Sequence, residues 1–172
     1  GHGSPLTGRV IVVFAPLGDP APLEHAGHTG MDTPAMVGVD ARNLTRGETI
    51  RIPSGTLRFP QGKLADLPAG QYSVQAVIHK NPDINLPLAP GNVRSKPVAW
   101  DHDPQNPKAV ELVLNEVIPA KLPPETERVK WVILRSELLS RFFGRDMYHR
   151  AAVILPPQFV TEPQARFPLV VR

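Results

Sequence analysis

A chain of 172 residues, 41% apolar and 20% charged, falls in the globular range, which excludes a disordered or collagen-like polypeptide. It has no cysteine, so disulfides and thiolate chemistry are excluded, and no apolar run approaches the ~18 residues of a membrane-crossing helix. The net charge of +3 belongs wholly to the tail: residues 1–120 carry ten Lys/Arg against eleven Asp/Glu, and residues 121–172 carry nine against five. In that tail Arg128, Lys130, Arg135, Arg141, Arg145 and Arg150 stand singly among apolar residues, without the clustering and stacking aromatics that nucleic acid requires. Neither nucleic acid nor a membrane is expected as a partner.

Twenty-one prolines and thirteen glycines, with 6% aromatics, predict short strands joined by Pro-marked turns and little helix. Residues 1–6 begin GHGS, without Met, and read as a tag scar or trimmed end. TGRVIVVFAP (Thr7–Pro16) is a β-branched run closed by proline and predicts a first strand. Leu17–Ala35 has no period and is rich in Pro, Gly, Asp and Thr, which predicts a long irregular surface loop. Met36–Ala41 reads as a short strand, Asn43–Glu48 as a turn, and Thr49–Phe59 as a half-buried strand with Ile50 and Ile52 opposite Arg51.

The clearest stretch is Leu64–Lys80. Tyr72, Val74, Ala76 and Ile78 alternate with Ser73, Gln75, Val77 and His79, as in a sandwich strand. The turn ahead of it uses Pro68 to set φ and Gly70 to accept positive φ. Tyr72, two residues past that glycine, matches a tyrosine corner, whose phenol is expected to reach a backbone group between about Leu64 and Leu67. Ser95–Asp101 and Ala109–Ile118 complete the pattern, with Val110, Leu112 and Leu114 facing away from Glu111 and Asn115. The expected fold is all-β: an antiparallel Ig-like, prealbumin-like β-sandwich over residues 7–118.

Residues 119–127 form a Pro-rich, charged linker, expected to be stiff and extended. Beyond it, Val129–Leu134 and Ala151–Leu155 predict strands, and SELLSRFF predicts a helical turn capped by Ser136. Leu169–Val171, headed by Pro168, reads as a further buried strand.

The residues of the tail carry a family resemblance. Val129–Arg172 resembles the opening strands of the esterase-D-like α/β-hydrolases. Those begin with a strand leading to a serine and a small-residue turn, here Ser136 and Gly144-Arg145. A second strand ends in a leucine-proline pair and an aromatic, here Leu155-Pro156-Pro157-Gln158-Phe159, with Gln158 in place of the usual glycine. A third opens on an aromatic-proline pair, here Phe167-Pro168-Leu169-Val170-Val171. Residues 7–118 resemble the Ig-like sandwich that precedes the hydrolase domain in some exported bacterial esterases.

The resemblance implies residues 128–172 to be the start of a hydrolase domain cut before its His-Gly element. It also implies a downstream hydrolase domain as partner, and a secreted or periplasmic location. The truncated strands are expected either to pair with another copy through residues 129–172 or to fold back and extend the sandwich. The competing expectation is a free-standing sandwich that binds carbohydrate or a protein partner.

An α/β-hydrolase needs a nucleophile on a G-x-S-x-G elbow. None of Ser4, Ser54, Ser73, Ser95, Ser136 and Ser140 has glycine at both flanking positions, so no catalytic residue is expected. His25 and His28 are candidate metal ligands, but the loop around them has no helical period to make them converge, and solvated histidines are the simpler reading. Asp101-His102-Asp103-Pro104 reads as an Asx-type turn. No metal or other cofactor is expected. Trp100 is the one ring placed for ligand stacking, while Tyr72 and Phe59 read as core. Tyr72, Gly70 and Pro68 are expected to be structural.

Overall fold

The computed structural model describes residues 5–18, 21–26, 33–162 and 164–171. Gly1–Ser4 and His28 lie outside the described residues. The chain divides into two compact units, Gly1–Lys121 and Leu122–Arg172, and the division falls inside the Pro-rich stretch 119–127.

The first unit is built on one antiparallel sheet. Its central strand β1 (Leu6–Pro16) pairs with β2 (Ala35–Leu44) on one side and β4 (Gly70–His79) on the other. The two-residue β3 (Arg58–Phe59) extends β2. Along the far edge of β4 lie β5 (Val93–Arg94) and β6 (Val98–His102), and β7 (Glu116–Val117) pairs with β5. Among the described residues β5 and β6 share that edge because Ser95 takes over the ladder between them. Its amide donates to the Ala76 carbonyl at 2.9 Å, while its hydroxyl accepts from the Ala76 amide at 3.0 Å.

Alternation along the strands sorts two cores. Val10, Val12 and Phe14 of β1 stand opposite Ile78, Ala76 and Val74 of β4, and with Val37, Ala41, Leu67 and Val93 they form the larger core. Ile50, Ile52, Val110, Leu112 and Leu114 close over it. Val13 and Val77 form the smaller core on the opposite face with Leu23, which belongs to the one-turn helix α1 (Pro22–His25). Each such aliphatic side chain taken out of water contributes roughly 1.5–3 kcal/mol.

β4 is buried on both faces from Ser73 to Ile78, where the alternation reads as that of a sandwich strand. The reason is long-range: α1 covers the second face. The loop 17–35 is therefore not wholly irregular, since Pro22 starts a helical turn and Leu23 anchors it under the sheet. Within Thr49–Phe59 only Arg58–Phe59 is a strand, because a turn at Pro53 intervenes, marked by the Thr56 amide donating to the Pro53 carbonyl. Phe59 is 55% exposed at the sheet edge and is not core. Within Ala109–Ile118 only Glu116–Val117 joins a ladder, although Val110, Leu112 and Leu114 do face inward as the alternation predicts.

Gly8 marks where β1 changes register against β2. A Cβ there would collide with the His79 carbonyl oxygen on the neighbouring strand, so only glycine fits.

The second unit is a hairpin. β8 (Val129–Arg135) pairs with β9 (Tyr148–Ile154) along its whole length. Between them α2 (Glu137–Phe143) is capped at its start by Ser136, whose hydroxyl accepts from the Leu139 amide, and at its end by Gly144 in the left-handed region, φ 64°. Ser140 is buried and its Oγ accepts from the Met147 amide at 2.9 Å, tying helix to hairpin. A one-turn helix α3 (Gln158–Thr161) follows. Leu169–Val171 form no strand and are exposed, contrary to the expectation of a third strand. Three apolar residues become a strand only where a neighbour supplies ladder partners, and no described strand does so here.

Candidate functional site

Cross-strand register in the first unit assembles an aromatic cluster. Tyr72 of β4 stands opposite Trp100 of β6, and Gly70 opposite His102. The Trp100 ring lies 4.5 Å from His102, 5.8 Å from Phe14 and 6.4 Å from Tyr72, centre to centre. Its indole N–H donates to the Lys108 carbonyl at 3.0 Å. The ring is half-buried and packed against the larger core.

Tyr72 donates its hydroxyl to the Pro68 carbonyl at 2.9 Å, one residue past the expected Leu64–Leu67 span. Burial holds the phenol above its ordinary value of 10.0, opposed in part by the Arg58 guanidinium. Gly70 opens β4 at φ 156°.

His102 is 7% exposed beneath this corner, with Nε2 3.1 Å from the Leu67 carbonyl and Nδ1 without a hydrogen-bond partner. If Nε2 carries the proton and donates to Leu67, Nδ1 is an acceptor without a donor. Its neighbours Asp101 and Asp103 are exposed, so the three side chains do not converge on an ion. The Asx turn is formed by Asp103 alone, whose Oδ1 accepts from the Gln105 amide at 2.9 Å.

A depression of about 100 Å³ lies beside Trp100, lined also by Leu17, Gln71, Ala99 and Asp101. Ligand pockets usually measure ~300–1,000 Å³. The space admits a few waters or a small side chain, not a sugar ring stacked on the indole.

His25 closes α1. Among the described residues no three His, Asp or Glu side chains gather as a metal site would require. Three of the described serines take structural parts: Ser95 in the ladder, Ser136 as a cap and Ser140 between helix and hairpin. No described helix is long and apolar enough to cross a membrane.

No family model, curated protein or solved structure matches this chain.

Two features escaped the sequence. One is a set of buried amides. Asn92, wholly buried, accepts from the Lys80 and Asn81 amides and donates to the Leu86 and Pro87 carbonyls, so it organises the loop 80–91. Gln75, 1% exposed, donates to the Ser95 carbonyl at 2.8 Å and accepts from the Leu23 amide at 3.3 Å. The other is His102. Its spacing of two from Trp100 places both on one face of a strand, and that alternation was the available signal.

The second unit presents a different surface. Val132, Ile133, Leu134, Tyr148 and Ile154 are all at least 41% exposed, and they come from both faces of the hairpin. The outer edge of β8 is occupied at its start. The Val129 amide donates to the Thr126 hydroxyl, the Trp131 amide to the Glu125 carboxylate at 2.8 Å, and the Trp131 indole to the Pro123 carbonyl at 2.8 Å. The Trp131 amide is the main reason that the Glu125 carboxyl sits below its ordinary value, with help from the Lys130 ammonium.

Proposed function

We propose that these residues combine a non-catalytic Ig-like accessory domain with the opening strands of an α/β-hydrolase domain of an exported esterase. The accessory domain serves domain packing, substrate access or oligomerisation. The observation that carries this reading is the β8–β9 hairpin, which is apolar and exposed on both faces, as are strands of a sheet made to be covered on both sides. The Ser-Glu-Leu-Leu helix between the strands, with its glycine cap, is consistent with the turn that the esterase-D-like resemblance calls for.

Two features of the first unit support an Ig-like sandwich. Val110, Leu112 and Leu114 pack against the larger core, and the Tyr72 hydroxyl closes a corner of the kind such sandwiches use. On this reading the catalytic residues belong to the downstream hydrolase domain, and the protein works outside the cytoplasm, secreted or in the periplasm. The alternative, a free-standing sandwich that binds carbohydrate or a protein partner, gains little on its carbohydrate side from Trp100, whose ring is engaged by Phe14, Tyr72 and His102.

The test is direct. Purified protein should not turn over p-nitrophenyl acetate above the buffer rate. Turnover that survives repurification and disappears in Ser54→Ala, Ser136→Ala or Ser140→Ala would refute the non-catalytic assignment.

A further inference from the structure

The β8–β9 hairpin has two long edges, and they are not equivalent. The Leu155 amide donates to the Arg128 carbonyl and the Ser136 amide to the Met147 carbonyl. In an antiparallel ladder the N–H and C=O of one residue point the same way. The even-numbered residues of β8 therefore face β9, and its odd-numbered residues face outward. In β9 the odd-numbered residues face β8, while Tyr148, Arg150, Ala152 and Ile154 turn their backbone groups outward.

On β8 the outward amides of Val129 and Trp131 are taken by Thr126 and Glu125, and Pro123 and Pro124 precede them. On β9, among the described residues, no strand other than β8 pairs. An open edge of seven residues is a template for another strand. The remaining apolar run of this unit, Leu169–Val171, forms no strand and is too short to cover it.

We propose that a second copy of this chain fills that edge, β9 against β9, in an antiparallel register centred on Ala151. Two constraints select the register. First, the outward residues must meet one another: centred on Ala151, Tyr148 faces Ile154 of the second copy and Arg150 faces Ala152, so every outward donor and acceptor is paired. Second, like charges must not oppose. A register centred on Arg150 sets guanidinium against guanidinium and is penalised, while one centred on Ala152 leaves Tyr148 without a partner.

The chosen register brings an aromatic ring against a β-branched side chain at both ends, a favourable cross-strand pair. It is isologous, so it closes as a two-fold dimer with a four-stranded sheet. Full-length head-to-tail pairing of β9 on β8, which would propagate as a filament, is obstructed by the Pro123–Thr126 segment over the first half of the β8 edge.

This inference goes beyond the hydrolase reading and fails separately from it. A strand supplied by a longer polypeptide would compete for the same edge and give a monomer, leaving the absence of esterase turnover untouched.

The experiment uses the whole chain, sized by light scattering over a concentration series. A dimer is expected. Ala152→Pro removes an outward N–H but no bond of the β8–β9 ladder, so it should give a monomer with an unchanged circular-dichroism spectrum. Ala151→Cys places two thiols across the two-fold at a non-hydrogen-bonded position, where Cα atoms lie about 4.5 Å apart. The chain has no other cysteine, so oxidation should give a covalent dimer. Val153→Cys, which faces His149 of the second copy in this register, should not cross-link. A wild-type monomer at every concentration overturns the proposal. So does a dimer that withstands Ala152→Pro, or one that cross-links through Val153→Cys in preference to Ala151→Cys.

Discussion

The phenol of Tyr72 and the carbonyl of Pro68 are joined by a hydrogen bond of 2.9 Å that closes the turn leading into β4. The bond ties the first residues of the strand to the chain that precedes it, directly above His102 and beside Trp100. It is partly open to water, so the Pro68 carbonyl can be resolvated when the phenol is lost. Tyr72→Phe should cost about 1 kcal/mol in denaturant unfolding. The pH dependence has a definite sign. The folded phenol titrates above its unfolded value of 10.0, so its contribution is complete below pH 10 and is lost as pH rises through the folded value. Wild type should therefore lose stability at alkaline pH relative to Tyr72→Phe. Equal alkaline slopes would show that the phenol is solvated in the folded state.

Asn92 holds the loop 80–91 through both ends of its amide. Asn92→Ala strands two amides and two carbonyls at a position with no exposure, and should destabilise by roughly 2–4 kcal/mol. Asn92→Asp keeps the acceptor and loses the donors. It should preserve slow exchange of the Lys80 and Asn81 amides while the Leu86–Pro87 side of the loop loosens. Uniform loss of protection in the aspartate variant would mean that the two halves are not separable.

Gly8→Ala should be costly for a reason unrelated to backbone freedom. The added methyl meets the His79 carbonyl across the ladder, and forcing the strands apart should cost about 1–3 kcal/mol. Gly55→Ala is the control, because a Cβ there meets nothing within 4 Å, and it should be within about 0.5 kcal/mol of wild type. Equal effects at the two positions would remove the steric explanation.

Local chemistry was legible in the sequence, and long-range cover was not. The β-branched run of β1, the alternation of β4 and the Ser136 cap each act over a few residues, and each appears where its residues predict. The facing of Val110, Leu112 and Leu114 was legible too, while their lack of a ladder was not, because alternation reports which side is buried and not what pairs alongside. Burial of the second face of β4 depends on Leu23, about fifty residues away in a stretch with no period. The aromatic cluster had the same obstacle. Trp100 looked free beside a proline-rich turn because its register with Tyr72 is set by the pairing of β4 with β6, which no local pattern encodes.

The clasp on β8 yields a pH-dependent prediction. Glu125 accepts from the Trp131 amide at 2.8 Å, and its ammonium neighbour Lys130 lies 3.6 Å away. Hydrogen bonding to the charged carboxylate favours that form, which is why the group sits below its ordinary value of 4.5. A carboxyl whose folded value is depressed contributes above its unfolded value, and the contribution is lost as pH falls through the lower folded value. The Trp131 amide resonance should therefore titrate with a midpoint below 4.5, and the edge of β8 should open as it does so. Glu125→Gln keeps an oxygen acceptor and removes the charge, so the titration should vanish while the hairpin persists. The Glu125 side chain is half exposed and its charge is screened by solvent, so this is a change of edge protection and not of global stability. A Trp131 midpoint at or above 4.5, or a titration unchanged in Glu125→Gln, would show that another group reports at that amide. Opening the β8 edge at low pH should also permit head-to-tail pairing, so the protein should form larger species in acid that Trp131→Pro, which deletes the same outward N–H, suppresses.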